Sequence, residues 1–122
     1  MHIVVYGTKS DYDACISCLG AVPRLQYRRV LYTHAEDYDS LIRHLGSQDA
    51  ADLIIVTVDG AEGMEGAMAS KRLRDDVPVI WISDDANFGV QSHRLGCTFF
   101  AVKPITEQVM ANAIHHYRQE RV

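Results

Sequence analysis

The sequence has no apolar run close to the roughly 20 residues that a membrane-spanning helix needs. It also has no surplus of positive charge, because 12 Lys and Arg residues stand against 16 Asp and Glu residues, and the formal net charge is −4. These absences argue against direct binding to nucleic acid or to an anionic membrane. The chain opens in strand-like sequence instead of a signal peptide, so we expect a cytoplasmic protein.

Cysteine is scarce as well. The chain has three cysteines, an odd number without zinc-ribbon spacing, which suits a reducing compartment better than a disulfide framework. Cys15 and Cys18 form a C-x-x-C inside a helical pattern, and we expect two small residues facing a sheet instead of a redox pair. The six histidines are scattered over different elements, so no metal site is expected.

The remaining composition is that of one ordinary globular domain over residues 1–122. Hydrophobic residues make up 48% of the chain, and no repeat, linker or low-complexity segment interrupts it. A chain of this length can bury a core without disulfides or metals.

Apolar runs of strand length alternate with segments of helical period, which predicts a parallel sheet with crossover helices. The predicted strands are His2–Tyr6, Gln26–Tyr32, Leu53–Val58, Val77–Ile82 and Thr98–Val102. Leu53–Val58 is continuously apolar, as a central strand requires, whereas Gln26–Tyr32 is polar enough for an edge.

The helix signals lie between these strands. Ser10 with Asp13, and Thr33 with Glu36, have the spacing of capping boxes for the first two helices. The other predicted signals are a glycine-bearing loop at Gly60–Gly63 before the third helix, a fourth helix at Asn87–Leu95, and Thr106 as the cap of the fifth.

Polar residues follow four of the predicted strands. Ligands of open parallel sheets bind beyond the carboxyl ends of the strands, so these residues are expected to lie together. They are Gly7-Thr8, Thr57-Val58-Asp59, Ser83-Asp84-Asp85 and Lys103-Pro104.

Several motifs resemble those of one known family, the receiver domains of two-component response regulators. The ending GCTFFAVKPI, Gly96–Ile105, resembles their last strand, which commonly reads G-A-x-x-Y-L-x-K-P. Three further segments resemble receiver motifs. Val77–Ser83 resembles the fourth strand with its terminal hydroxyl residue, and Gly63–Gly66 resembles the G-M-D-G that opens the third helix. Asp52–Ile55 resembles the start of the third strand. Ser83–Ile105 resembles LytTR-type receivers in particular.

The resemblance implies an α/β, flavodoxin-like (βα)5 receiver fold. It has a five-stranded parallel sheet in the order 2-1-3-4-5 with helices on both faces. It also implies a role in two-component phosphorelay signal transduction.

The same resemblance locates the phosphorylation site. A receiver holds Mg²⁺ with two adjacent carboxylates after the first strand, and an aspartate at the end of the third strand accepts phosphate. Gly7 and Thr8 replace the carboxylates here, and two motif counts place Thr57 or Val58 at the acceptor position. Asp59, one or two residues away, is the phosphoacceptor candidate, with Thr57 as the aligned alternative.

Asp59 is alternatively a turn residue before Gly60, with its side chain bonded to local backbone amides. Asp11 and Asp13 are expected to lie too far along the first helix to replace the missing carboxylates. Metal-assisted phosphorylation is therefore expected to be lost or weak, and Mg²⁺ is a cofactor only if Asp59 accepts phosphate.

The resemblance assigns roles to four further residues. Lys103 would pair with a phosphoryl group or, without one, with Asp59 or Asp84, or it would project into solvent. Pro104 is a candidate for a cis peptide bond. Ser83 and Phe100 resemble the hydroxyl and the aromatic ring that move on activation, although Ser83 as a turn cap and Phe100 as half-buried core are the alternatives.

We expect an atypical receiver and not an enzyme. It is expected to act through protein–protein interaction, independently of phosphorylation. The expected partners are a histidine kinase, an output domain or a second copy of the chain. By resemblance the contact uses the fourth helix, fifth strand and fifth helix, which offer Phe88, Phe99 and Tyr117. The alternatives are a conventional Mg²⁺-dependent receiver using Asp59, and a flavodoxin-like cofactor binder in which Gly7–Ser10 binds an anion.

Overall fold

Five parallel strands form a single sheet in the computed structural model, which describes residues 1–25, 29–47 and 51–120. The strands are β1 (His2–Tyr6), β2 (Leu31–Ala35), β3 (Leu53–Val56), β4 (Val79–Ser83) and β5 (Phe99–Val102). Their spatial order is β2-β1-β3-β4-β5, and every neighbouring pair is parallel. The predicted flavodoxin-like (βα)5 architecture is confirmed.

Helices follow the strands in alternation. They are α1 (Lys9–Gly20), α2 (Tyr38–Gly46), α3 (Gly60–Leu73), α4 (Gly89–Leu95) and α5 (Glu107–Glu120), with 3₁₀ turns at Pro23–Leu25 and Ala86–Phe88. Thr106 caps α5 as predicted, since its hydroxyl accepts a hydrogen bond from the Val109 amide at 3.1 Å. Within the described ranges, no helix is both long and apolar enough to span a membrane.

The sheet is buried on both faces by the alternation of side chains along its strands. Ile3 and Val5 of β1 pack on the face that α1 and α5 cover, whereas Val4 and Tyr6 pack on the face of α2 and α3. The central strands β3 and β4 are buried throughout. Because apolar residues fill both faces, polar side chains collect where the strands end.

The second strand lies later in the sequence than predicted. It runs from Leu31 to Ala35, while residues 26–28 of the predicted strand lie outside the described residues. Thr33 is therefore a strand residue, and its hydroxyl lies 2.7 Å from His2 Nε2. Asp37 caps α2 instead, accepting from the Ser40 amide at 2.8 Å. The edge position of the strand is as expected.

Two helix starts also differ from the prediction. Thr8, not Ser10, caps α1, because its hydroxyl accepts from the Asp11 amide at 3.1 Å. Gly60–Gly63 is the first turn of α3 and not a loop. Gly60 enters this turn at φ 68°, a left-handed conformation that favours glycine.

The C-x-x-C thiols pack against the core, as the helical pattern predicted. Cys15 is fully buried, and burial, aided by the charge of Asp11, raises its thiol pKa to about 12. Burial also raises the pKa of Cys18. A thiol that stays protonated at neutral pH is a poor nucleophile, so redox chemistry at this pair is disfavoured.

One close contact positions α3 over the sheet. Gly66 is buried in α3, and a methyl group at its Cα would lie 2.6 Å from Cε2 of the Tyr6 ring. Tyr6 is itself almost completely buried at the end of β1. The absence of a side chain at Gly66 therefore sets how closely helix and strand approach.

We predict that Gly66→Ala lowers the free energy of unfolding by about 1–3 kcal/mol, because overpacking forces the Tyr6 ring or the helix to move. Gly20→Ala is the matched control, since nothing lies within 4 Å of a methyl group there. That control should be stable to the same degree or gain up to about 1 kcal/mol. Urea unfolding measures both, and equal stabilities of the two variants would contradict the packing argument.

Candidate functional site

An ion triad lies at the carboxyl ends of β1, β3 and β5. Lys103 Nζ is 2.8 Å from Asp11 Oδ2 and 2.7 Å from Asp59 Oδ1. The side chains of Lys103 and Asp11 are about one-fifth exposed, at 21% and 22%, whereas Asp59 is 53% exposed. The lysine ammonium thus serves as the shared counterion of two carboxylates.

The lysine stays charged in this setting. Burial by itself lowers the pKa of Lys103, but the hydrogen bonds and charges of Asp11 and Asp59 outweigh it and raise the pKa above its usual value. Two carboxylates around one ammonium leave a formal charge of −1 on the triad.

The position of Asp11 corrects the expectation that it lies too far along the first helix. Thr8 caps the helix, so Asp11 is its third residue, and from there its carboxylate reaches Lys103 at the strand ends. The signal was present in the sequence, since Thr8 and Asp11 have the same spacing as the chosen pair, Ser10 and Asp13.

Asp59 stands at the N-cap position of α3, but its side chain forms no capping hydrogen bond. The Gly60 amide donates instead to Asp84 Oδ1, at 3.2 Å. Asp59 is therefore not a turn residue bonded to local amides, and Asp84 is bonded to that turn instead of to Lys103. The carboxylate of Asp59 is directed toward the lysine.

Thr57 occupies the position opposite Gly7, at the end of the paired strands. Its amide donates to the Tyr6 carbonyl at 2.8 Å, and its fully buried hydroxyl donates to the same oxygen at 3.3 Å. The register is therefore regular through Thr57, and the one-residue difference between the two motif counts lies in the turn after it. Any side chain at Gly7 would collide with the Thr57 hydroxyl.

These residues do not fit a receiver-type Mg²⁺ site. Gly7 and Thr57 supply no carboxylate, and the Thr8 hydroxyl caps α1. The nearby carboxylates, Asp11 and Asp59, are held by Lys103. In residues 1–25, 29–47 and 51–120, no group of three or more acidic, histidine or cysteine side chains could hold a metal ion.

Ser83 is buried at the end of β4 and is bonded within its own turn. Its hydroxyl donates to Asp84 Oδ1 at 3.2 Å and accepts from the Asp85 amide at the same distance. These contacts match the turn-cap alternative, and its role as a switch stays a prediction.

Phe100 belongs to a cluster of three aromatic rings on the α4 side of the sheet. Its centroid is 5.5 Å from that of Trp81 in an edge-on arrangement, and Phe88 lies 5.3 Å from Trp81 on a tilt. Trp81 is fully buried. Phe88 and Phe100 are half-buried and cover it, so the movement assigned to Phe100 by resemblance stays a prediction.

The surface formed by α4, β5 and α5 differs from the prediction in one residue. Tyr117 is only 8% exposed and belongs to the core, because its position on α5 faces the sheet. Phe99 is half-buried beside His116, with ring centroids 5.1 Å apart. The exposed apolar side chains on this surface are Val90 and Val102, which pattern reasoning overlooked in favour of larger aromatic residues.

The Lys103–Pro104 peptide bond is cis, and it follows β5 directly. The Lys103 amide donates to the Ser83 carbonyl at 2.8 Å, which extends the pairing of β4 and β5 to the last residue before the proline. This pairing fixes the backbone from which the lysine side chain reaches the two carboxylates.

No protein-family model matches the chain, and no curated protein is significantly similar to it. Solved structures share its architecture over nearly its whole length. A response regulator receiver protein from Pseudoalteromonas atlantica superposes with a TM-score of 0.72 at 19% identity, covering 100% of both chains. The chain has the receiver-domain fold.

Two further structures with this fold show its range of contexts. The N-terminal domain of a response regulator/sensory box/GGDEF three-domain protein from Carboxydothermus hydrogenoformans has a TM-score of 0.72 at 16% identity, covering 99% of this chain and 97% of that one. A putative pilus assembly protein, CpaE, from Burkholderia thailandensis has a TM-score of 0.74 at 15% identity, covering 98% of each chain. The receiver-domain fold thus occurs both in response regulators and in a protein described by another function.

We predict that Lys103→Met lowers the free energy of unfolding by about 1–3 kcal/mol at neutral pH, since it leaves two carboxylates without their cation. The pKa of Lys103 is raised in the folded state. The charged lysine therefore contributes fully to the stability of the fold below about pH 10.5, and this contribution is lost as the pH rises through the folded-state pKa. The difference between wild type and variant in urea unfolding should therefore shrink above pH 10.5.

Lys9→Met is the control for this prediction. Lys9 forms a 2.8 Å pair with Asp13 on the exposed surface of α1, where solvent screens the charges. A loss of stability as large as that of Lys103→Met would show that the triad contributes no more than a surface pair.

Proposed function

We propose that the chain is an atypical response regulator receiver domain that acts in two-component signal transduction through protein–protein contacts, independently of phosphorylation. The observation that carries this proposal is the ion triad. In a receiver the strand ends provide carboxylates for Mg²⁺ and a lysine for the phosphoryl group. Here the lysine ammonium is already paired with the two carboxylates nearest to it.

The packing around Thr57 supports the same proposal. A phosphoacceptor must be reached by its phosphate donor, but the Thr57 side chain is fully buried and bonded to the Tyr6 carbonyl. A carboxylate at the neighbouring Gly7 would need the Thr57 hydroxyl to move. Both positions are adapted to close packing and not to a hydrated metal ion, which keeps several water ligands.

A conventional receiver that uses Asp59 is the second candidate. Its specific support is the exposure of Asp59, 53%, together with the proximity of Asp11 and Lys103, a carboxylate and a cation of the required types. Phosphorylation of Asp59 would then have to break its ion pair with Lys103, or Lys103 would have to pair with the attached phosphoryl group. A flavodoxin-like binder of phosphate cofactors has less support, because four carboxylates line the cleft beside Gly7 and Thr8.

We expect no phosphate adduct on the protein after incubation with acetyl phosphate and Mg²⁺, under conditions that label an ordinary receiver run in parallel. Intact-mass spectrometry measures the adduct. An adduct on the wild type that Asp59→Asn abolishes would contradict phosphorylation independence and establish the second candidate.

The proposed contact surface is that of α4, β5 and α5, and a second copy of the chain is a proposed occupant. Val90 is 60% exposed and Val102 is 41% exposed there. The same surface has a shallow depression of about 330 Å³ that Phe99, Phe100 and His116 help to line. Exposed apolar groups beside a concave aromatic surface favour association. A histidine kinase or an output domain would use the same surface.

The sequence of Ser83–Ile105 supports a regulator of the LytTR type, because it resembles the corresponding segment of those receivers.

We predict that Val90→Glu shifts the protein from dimer toward monomer in analytical ultracentrifugation, because it buries a charge at the contact. Leu31→Glu is the matched control, since Leu31 has the same exposure, 60%, but lies on the edge strand β2 at the far side of the sheet. It should leave association unchanged. A wild type that stays monomeric at all concentrations, or an equal effect of both variants, would exclude this homodimer.

A further inference from the structure

A cleft lies between the end of β1 and the first turns of α2 and α3. Its volume is about 410 Å³, within the range of sites for small ligands. The residues that line it are Tyr6, Gly7, Thr8, Glu36, Asp37, Tyr38, Val58, Glu62 and Glu65. No member of the ion triad is among them, but Gly7 and Thr8 are, so the cleft adjoins the candidate site described above.

The charge of this cleft is of one sign. Glu36, Asp37, Glu62 and Glu65 are all exposed, and the lining contains no lysine, arginine or histidine. Asp37 also caps α2. Glu36 lies 3.9 Å from a ring nitrogen of His34, which does not line the cleft. Glu62 and Glu65 have no ion-pair partner among the residues that the structure describes.

A largely buried tyrosine side chain distinguishes the cleft from an ordinary acidic surface. Tyr6 is only 2% exposed, its ring packs on Gly66, and it lines the cleft. Its hydroxyl has no hydrogen-bond partner among the described residues. Burial raises the pKa of Tyr6, and the charges of Glu62, Asp37 and Glu65 raise it further, so the phenol stays neutral and keeps its lone pairs for a donor.

We propose that this cleft binds a guanidinium group. Carboxylates and the phenolic oxygen are acceptors that match the planar, multiple N–H donors of guanidinium, and the Tyr38 ring supplies an aromatic face for it. Guanidinium is weakly hydrated, so it enters a partly apolar cleft more readily than a compact cation. The described side chains do not form a group that could hold a metal ion, which favours the organic cation.

This inference goes beyond the proposed receiver function and does not depend on it. The guanidinium can belong to a free small molecule or to an arginine side chain of a peptide. N-acetyl-arginine amide represents the free group, and an arginine flanked by glycines in a blocked peptide represents the peptide-borne one. N-acetyl-glutamine amide is the uncharged control.

The test is a titration of the whole chain, labelled with ¹⁵N, followed by amide chemical shifts at low ionic strength. We expect saturable shifts at Gly7, Thr8, Tyr38 and Glu62 with the arginine probe and none with the glutamine probe. Glu62→Gln combined with Glu65→Gln should weaken binding about tenfold, because two ion pairs are lost. Tyr6→Phe should weaken it by a smaller factor while leaving the unliganded spectrum similar.

The matched control combines Asp75→Asn with Asp76→Asn, which removes the same charge from an exposed turn after α3. It should bind the probe as the wild type does. Absence of saturable shifts, or equal weakening by the control, would overturn the proposal. Displacement of the probe by Mg²⁺ at the same amides would also overturn it, because the cleft would then be a metal-ion site. Tighter binding of the peptide than of the amide would identify a protein-borne arginine, and equal binding a free cation.

Discussion

A parallel sheet covered by helices on both faces leaves no room for polar side chains against the sheet, so the polar residues of its connecting turns gather beyond the ends of its strands. In this chain the two faces are filled by Ile3 and Val5 on one side and by Val4 and Tyr6 on the other. Everything chemically distinctive about the molecule follows from that constraint. Residues from separate parts of the chain therefore meet beyond the carboxyl ends of the strands.

At that edge the chain pairs two carboxylates with one ammonium group of its own. A cluster of carboxylates alone would repel itself and would need a bound cation. Lys103 supplies a cation from the chain itself, and the Thr57 hydroxyl packs closely against Gly7. The adjoining cleft keeps uncompensated negative charge, so the two neighbouring regions differ in electrostatic character although they share one end of the sheet.

The fold could be predicted from the sequence because its signals are local and repeated: apolar runs such as Leu53–Val56 alternate with helical periods. The site could be predicted only in part. Lys103 and Asp59 were recognised, but their partner Asp11 was not, because its position depends on which of two equally spaced caps begins α1. The burial of Tyr117 and the start of β2 at Leu31 likewise depend on packing and register between distant segments, which no single segment encodes.

The triad also changes what the site can respond to. The fraction of a site that a metal ion occupies depends on the concentration of the ion in solution. Lys103 is covalently part of the chain, so the backbone sets its effective concentration at Asp11 and Asp59. Its ammonium stays charged throughout the neutral pH range. The counterion of the site is thus supplied by folding, and its occupancy follows the folded fraction of the protein and not the ionic composition of its surroundings.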